Sequence, residues 1–188
     1  MSVSRFEGLN PPIIEGTRMD IRYTTADTKL GVLLVARSDK GICSVSLSNS
    51  REEAEASLRG RFGKAAITRD DAGMAGDVRL VSARIEGREL ADTPPLDLNG
   101  TEFQREVWSQ LLAIPAGATR TYGDIATAIN RPRATRAVAQ ACGANPVAVV
   151  VPCHRVVMSD GSIGGYSGLP GVKKALLEAE GVDRFATA

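Results

Sequence analysis

Apolar side chains form three short β-type runs near the start of the chain. Residues 19–25 partly alternate between apolar and polar side chains, and residues 30–36 and 41–47 are rich in apolar strand-forming residues. The last two runs meet at Ser38-Asp39-Lys40-Gly41, a turn sequence in which glycine can take backbone angles that other residues avoid. The pattern predicts a small antiparallel sheet.

A helix is expected after these strands. Ser50 stands before an arginine and two glutamates, which is typical of a helix N-terminus. Apolar residues then recur every four positions up to Phe62, so they share one helix face. Residues 66–95 have a weaker pattern, and residues 78–85 are compatible with either a strand or a helix.

The second half has the apolar spacing of helices. We expect helices at residues 101–112, 122–129, 134–143 and 172–180. The second and third of these are joined by the short connector of residues 130–133, an arrangement typical of a helix-turn-helix.

Loop-like residues 91–100 separate the two halves. We therefore expect an α/β domain at residues 1–95 and a mostly helical domain at residues 96–188. Within the second domain, the apolar residues 147–151 predict a buried strand or extended segment, and residues 161–171 predict a glycine-rich loop.

The charge balance changes this picture only locally. The 188 residues carry 23 basic and 22 acidic side chains, a net charge of +1. A uniformly basic surface is excluded, so contact with nucleic acid would need a local patch. Residues 120–155 supply a candidate, since they hold one acid and five arginines. These arginines are Arg120, Arg131, Arg133, Arg136 and Arg155.

Cysteine and histidine are sparse. Three cysteines argue against a disulfide scaffold, and the single histidine, His154, cannot build a histidine-rich metal site, so we expect no metal and no cofactor. Residues 1–16 lack an apolar leader, and no run approaches the roughly 18 apolar residues that span a bilayer. We expect a cytoplasmic protein with reduced thiols and no membrane contact.

The segment Pro152-Cys153-His154-Arg155 has the strongest chemical signal. Cys43 and Cys142 are best interpreted as buried structural cysteines. An imidazole and a guanidinium beside Cys153 would favour its thiolate form. Adjacent residues on a strand point to opposite faces, so contact between Cys153 and His154 requires a turn or a bridging water. On this segment alone, an inert and a reactive cysteine both remain open.

Further blocks surround this segment between residues 101 and 182. In order, the blocks are Phe103-Gln104-Arg105-Glu106-Val107-Trp108, Ile114-Pro115-Ala116-Gly117, Thr121-Tyr122-Gly123-Asp124, Arg136-Ala137-Val138, Asn145-Pro146, Pro152-Cys153-His154-Arg155-Val156-Val157 and Gly165-Tyr166-Ser167-Gly168. Together they closely resemble the O6-alkylguanine-DNA alkyltransferases, while residues 1–100 resemble that family only in size and element order. The resemblance implies a ribonuclease H-like N-terminal domain and a winged-helix-like C-terminal domain.

The resemblance also implies a reaction. An alkyl group would move from O6 of guanine, or O4 of thymine, to Cys153, and each molecule would react once. His154 would assist through a bridging water, Glu180 would orient His154, Asn145 would brace the active-site turn, and Tyr122 would donate a hydrogen bond to the guanine ring. Without the family, Glu180 is better interpreted as a solvated helix-end charge, and for Tyr122 a structural aromatic residue at a helix start is an equal alternative.

The partner implied is double-stranded DNA, bound through the minor groove with the damaged base flipped out. Arg136, on a helix rich in small residues, would enter the space that the base leaves. Val156, Tyr166 and Ser167 would line the base pocket. The positions implied for contact with the DNA backbone are Gln104, Gly123, Arg131 and Ser159, and Tyr122 is also implied to bind DNA. The free protein is expected to be a monomer, and cooperative binding on DNA stays open.

The sequence departs from the family at two places. Ala148 stands where some members have a proline, and Leu169-Pro170 follows Gly168 where many members have another glycine. The second departure changes the loop that closes the pocket and leaves the range of alkyl groups open. The N-terminal half has one cysteine and no histidine, so no zinc site is expected there. Two other interpretations compete: a DNA-binding module without transfer, which the presence of Cys153 disfavours, and a cysteine hydrolase, which would need an acyl pocket and an oxyanion hole.

Overall fold

A sheet with flanking helices is followed by a helical region that carries the candidate site. The structure, a computed structural model, describes residues 19–88 and 94–182. The expectations for residues 1–16 and for part of the loop at 91–100 lie outside the described residues. In chain order the elements are β1 (Asp20–Thr28), β2 (Gly31–Arg37), β3 (Ile42–Ser48), α1 (Arg51–Arg61), β4 (Ala66–Arg69), α2 (Ala75–Ile85), α3 (Glu102–Leu112), β5 (Arg120–Thr121), α4 (Tyr122–Ala128), α5 (Thr135–Gly143), β6 (Val156–Val157) and α6 (Val172–Ala179).

The sheet is mixed rather than purely antiparallel. Its order is β3-β2-β1-β4, with β1, β2 and β3 antiparallel as predicted. The fourth strand pairs with β1 in parallel, because α1 carries the chain back across the sheet before β4 begins. The prediction missed β4 because it is a four-residue edge strand with no buried residue, so it lacks the alternating pattern of a half-buried strand.

Both faces of the sheet are covered, which explains the continuous apolar run in β2. Leu34 and Ala36 face α1, where Ala54 and Leu58 are buried against them. Leu33 on the opposite face joins a second core. That core includes α2, which settles residues 78–85 as a helix, and it continues into the C-terminal helices. The two halves of the chain therefore share one hydrophobic core.

The C-terminal helices are held by a buried tryptophan. Trp108 on α3 donates an indole hydrogen bond of 2.9 Å to the carbonyl of Ala141 on α5. The turn between α4 and α5 places Asn130 in the left-handed region, with φ at 58°, which asparagine tolerates better than most residues. The predicted helix-turn-helix is present, with ends that differ from the prediction by one residue.

Residues 147–151 were expected to be a buried strand or an extended segment, and this was wrong for most of the segment. Only Val147 forms a bridge, to Val45 on β3, and Val149 has a left-handed φ of 70°. The Asn145 side chain accepts from the backbone N–H of Val147 and donates to the carbonyl of Val151. These bonds replace a strand ladder and fold the run into a buried turn that leads into the candidate site.

Two features are absent from residues 19–88 and 94–182. In these ranges no helix has the length and apolarity needed to cross a bilayer. Within the same ranges, no group of three or more histidine, cysteine or acidic side chains is placed to hold a metal ion.

Candidate active site

A cavity of about 610 Å³ opens beside the helix-turn-helix. It brings together five of the residues selected from the sequence, although they come from four separate segments. These are Tyr122 at the start of α4, Arg136 on α5, Cys153, and the loop residues Tyr166 and Ser167. A flat or stacked ligand entering the cavity would therefore meet a phenol, a guanidinium and a thiol.

One face of α5 forms a wall of this cavity. Arg136, Ala139 and Gly143 are exposed at spacings of three and four residues, so they form one stripe along the helix. The opposite face is buried through Val138 and Ala141. The small side chains of the stripe allow a bulky partner to approach the helix backbone closely.

Cys153 lies in a tight turn rather than on a strand. The 3-10 turn Cys153–Arg155 follows Pro152 and directs successive side chains apart. The Cys153 side chain borders the cavity but is only 6% exposed. Burial raises the pKa of its thiol, against the opposing hydrogen bond from Asn145. The expectation that neighbouring groups make Cys153 a thiolate is therefore wrong for the free protein, and deprotonation requires a base.

Asn145 connects the turn to the thiol. Its side-chain nitrogen donates to the Val151 carbonyl at 2.8 Å and to Cys153 Sγ at 3.2 Å. Its side-chain oxygen accepts from the backbone N–H of Val147 at 3.0 Å. One side chain thus holds both arms of the turn and orients the sulfur.

His154 points away from the cavity into the protein. Its side chain is 1% exposed, and Nε2 lies 2.9 Å from Oε1 of Glu180, the residue that ends α6. Burial alone would raise the pKa of Glu180, but hydrogen bonds from His154 and Arg155 outweigh it and lower the pKa to about 2. An ionised carboxylate only accepts hydrogen bonds, so the imidazole proton lies on Nε2.

The other nitrogen of this imidazole is available as an acceptor. His154 Nδ1 is buried and has no hydrogen-bond partner within the described residues. Burial lowers the pKa of His154 below 6.5, with Arg155 and Lys173 acting in the same direction and Glu180 opposing them. A neutral imidazole with an unoccupied Nδ1 is the protonation state that a general base requires.

Arg155 does not belong to the exposed basic patch, although its position in the sequence had placed it there. It is 6% exposed, and its Nε and Nη2 bind the carboxylate of Glu180, while Nη1 bonds to the carbonyl of Ile114 after α3. Sequence proximity suggested a surface charge, but the ion pair with a residue on α6 turns the guanidinium inward. The exposed arginines of the patch are Arg120, Arg131, Arg133 and Arg136.

Lys173 is a site residue that the sequence reasoning missed. It is 3% exposed, and Nζ donates to the carbonyls of Val156 and Gly165 at 2.6 and 3.2 Å. Its ammonium also lies 5.9 Å from the centre of the Tyr122 ring. The available signal was its spacing, because position 173 falls on the same face of α6 as the buried Leu176 and Leu177.

Several selected residues lie outside the cavity lining. Val156 is fully buried in β6, and its carbonyl is bound to Lys173. Gln104 caps α3 by accepting from the Thr101 backbone N–H. Arg131 pairs with Glu106 at 3.2 Å and lies 5.2 Å above the Phe103 ring. Ser159 is exposed after β6, and Gly123 is half-buried in the first turn of α4.

Two family models match the chain. Residues 21–74 match the 6-O-methylguanine DNA methyltransferase ribonuclease-like domain. Residues 102–182 match the 6-O-methylguanine DNA methyltransferase DNA binding domain. The models leave residues 75–101 unmatched, so the domain boundary at residue 95 stays a prediction.

Similar proteins support the same assignment over most of the chain. The chain is 38% identical over 160 residues to a methylated-DNA--protein-cysteine methyltransferase of Mycobacterium tuberculosis, covering 85% of this chain and 92% of that one. It is 42% identical over 171 residues to the bifunctional transcriptional activator/DNA repair enzyme Ada of Escherichia coli, covering 90% of this chain. The chain spans about half of that longer relative, 48% of its length.

A solved structure has the same fold. The crystal structure of Mycobacterium tuberculosis OGT in complex with DNA matches with a TM-score of 0.71 and 38% identity, covering 85% of this chain and 92% of that chain.

Proposed function

Because this chain belongs to the 6-O-methylguanine DNA methyltransferase family, we propose that it repairs DNA by moving the alkyl group of O6-alkylguanine, and of O4-alkylthymine, onto its own Cys153. The observation that carries the proposal is the position of this thiol. It borders a cavity shaped by Tyr122 and Arg136, and a buried His154–Glu180 pair lies behind it.

The reaction begins with the removal of the thiol proton. Through a bridging water, the proton of Cys153 moves to Nδ1 of His154, and Glu180 stabilises the imidazolium that forms. This step is required because burial keeps the pKa of Cys153 above its ordinary value. Asn145 donates a hydrogen bond to the sulfur and stabilises the thiolate.

Alkyl transfer then breaks one bond as it forms another. The Cys153 sulfur bonds to the alkyl carbon, the bond from that carbon to O6 breaks, and its electron pair passes to the guanine ring. The Tyr122 hydroxyl donates a hydrogen bond to the ring as this charge develops. Water then gives a proton to the ring and takes up the proton held by His154, so that the thiol proton ends on guanine overall. The product thioether has no carbonyl for water to attack, so the thiol is not regenerated and each molecule acts once.

Access to O6 requires the nucleotide to leave the duplex. Flipping costs a few kcal/mol, and Arg136 beside the cavity offsets this cost by occupying the vacated space. The stripe of small residues on α5 suits a helix lying in the minor groove, where recognition is largely independent of sequence. Backbone contacts are proposed for Gln104, Gly123, Arg131 and Ser159, with Arg131 held in place by Glu106.

We extend the proposal to the surroundings of the protein. The free protein is a monomer that binds double-stranded DNA in the cytoplasm, where Cys153 stays reduced. Its base pocket is formed by Tyr166 and Ser167 together with the Val156 backbone, whose carbonyl Lys173 already binds.

Mass spectrometry tests the function directly. The tag-free protein is incubated with a duplex containing O6-methylguanine, and a gain of one methyl group on Cys153 is expected. The gain is lost in Cys153→Ser and kept in Cys43→Ala, a matched change in a cysteine of the other hydrophobic core. Binding without a mass gain would instead support a DNA-binding module. Repeated turnover of substrate would support a hydrolase.

A further inference from the structure

The Glu180 carboxylate is shared by two cationic or potentially cationic side chains. Oε1 lies 2.9 Å from His154 Nε2 and 2.9 Å from Arg155 Nη2, and Arg155 Nε lies 3.2 and 3.0 Å from the two carboxylate oxygens. All three side chains are at most 7% exposed. The geometry is a buried line of imidazole, carboxylate and guanidinium.

The position of Glu180 is unfavourable without a cation. It caps the C-terminus of α6, where the helix dipole and the unpaired carbonyls disfavour a negative charge. A histidine facing such a carboxylate alone would become an imidazolium, because a buried carboxylate needs a counter-charge. An imidazolium has no lone pair on Nδ1 and cannot accept the thiol proton.

We propose that Arg155 is a positioning residue of the transfer reaction, which keeps His154 uncharged by supplying the permanent counter-charge to Glu180. Arg155 balances the negative charge of the ionised Glu180. Glu180 Oε1 can therefore accept a hydrogen bond from Nε2–H of a neutral His154, and Nδ1 stays free to accept the thiol proton. The proposal rests on the proposed function for its catalytic consequence. Its statement about the protonation of His154 can be tested without DNA.

Lys173 acts on His154 in the same direction as Arg155, and Glu180 acts in the opposite direction. Among the described residues, the charged groups that act on His154 are Glu180 and Lys173 from the region of α6 and Arg155 on its own turn. Lys173 opposes a positive imidazole, as Arg155 does. From the side of α3, the backbone carbonyl of Ile114 accepts a hydrogen bond from Arg155 Nη1 and helps to fix the guanidinium.

NMR spectroscopy reads this state without ambiguity, because His154 is the single histidine of the chain. In tag-free wild-type protein labelled with ¹⁵N at histidine, the ring shifts at neutral pH should show a neutral imidazole protonated at Nε2. This measurement needs no variant, so it holds even where a substitution prevents folding. A cationic His154 or an Nδ1-protonated ring at pH 7 would overturn the proposal.

Two substitutions should move the titration of His154 in opposite directions. Arg155→Gln removes the competing cation and raises the midpoint, and Glu180→Gln removes the attracting carboxylate and lowers it. Arg155→Lys keeps the charge without the two-point geometry, so its midpoint should lie between those of wild type and Arg155→Gln. The control is Arg69→Gln, an exposed arginine paired with Asp71 in the sheet domain, which should change nothing.

The same variants are then compared in single-turnover alkyl transfer across pH. In Arg155→Gln the acidic limb should move to higher pH with the NMR midpoint, and a rise of one pH unit lowers the rate on that limb about tenfold. A purely structural role would lower the rate equally at every pH and leave the midpoint in place, which would refute the proposal. An NMR result as expected with no transfer by wild type would refute the proposed function instead.

Discussion

Replacing Glu180 with glutamine should change how stability depends on pH. The hydrogen bonds from His154 and Arg155 outweigh burial and lower the pKa of Glu180 from 4.5 to about 2. A carboxylate with a lowered pKa stabilises the folded state above its unfolded pKa, and this stability is lost as the pH falls through the folded value. At about 1.4 kcal/mol for each pH unit, Glu180 contributes about 3 kcal/mol at neutral pH.

Urea unfolding at closely spaced pH values measures this contribution. Wild type should lose it between about pH 4.5 and about pH 2. Glu180→Gln should be less stable at neutral pH, by about 3 kcal/mol, and its curve should be flatter across that window. His154 adds a separate acid loss that begins near pH 6.5, because burial lowers its pKa in the folded state. The comparison therefore uses the lower window.

The control is Glu178→Gln, on the same helix. Glu178 is 49% exposed and pairs with Lys174 at 3.6 Å, so its loss should change the free energy of unfolding by at most about 0.5 kcal/mol. If wild type and Glu180→Gln had parallel stability curves between pH 4.5 and pH 2, the buried ion pair would not be the source of acid sensitivity and the reasoning would fail.

Three further substitutions test the turn at Asn145, the cavity residue Arg136 and the close approach of Gly87 to the end of α6. Asn145→Ala removes three hydrogen bonds from the active-site turn and should cost about 2–3 kcal/mol in urea unfolding; an unchanged free energy of unfolding would show that the turn does not depend on this side chain. Arg136→Ala should slow transfer from duplex DNA roughly tenfold, about 1.4 kcal/mol, but not from the free base O6-methylguanine; equal slowing on both would argue against a role in flipping. Gly87→Ala should destabilise by about 1–3 kcal/mol, because its φ is +78° and a Cβ would lie 1.9 Å from the Ala179 carbonyl. The control is Gly60→Ala inside α1, where a Cβ would meet nothing within 4 Å. This change should raise the stability by up to about 1 kcal/mol, and thermal unfolding compares the Gly87 and Gly60 variants.

Local signals predicted most of the elements correctly. Capping residues and apolar spacing located α1, α3 and α5 to within a residue or two, because helix formation depends on neighbours three and four positions apart. The same local signals failed for β4 and for residues 147–151. The backbone conformation of β4 depends on its pairing with β1. That of residues 147–151 depends on hydrogen bonds to the Asn145 side chain. Neither depends on the apolar pattern.

The chemistry divides in the same way. The sequence singled out Cys153 and its adjacent histidine as candidates, and the family blocks around them indicated the reaction. It misjudged the thiol pKa and the direction of Arg155, since both depend on burial and on partners that the local sequence does not show. Lys173 was missed because a lysine next to another lysine is usually a solvated charge.

By itself, the sequence indicated most of the elements, the candidate nucleophile and the family, since these depend on residue types at short spacings. Tertiary structure decided which groups face each other. Arg155 and Glu180 are 25 positions apart, and Arg155 and the Ile114 carbonyl are 41 apart. These groups meet in the buried, low-dielectric interior, where a charge needs a partner. There Arg155, which the sequence placed in a basic patch for nucleic acid, is bound to the carboxylate that holds His154.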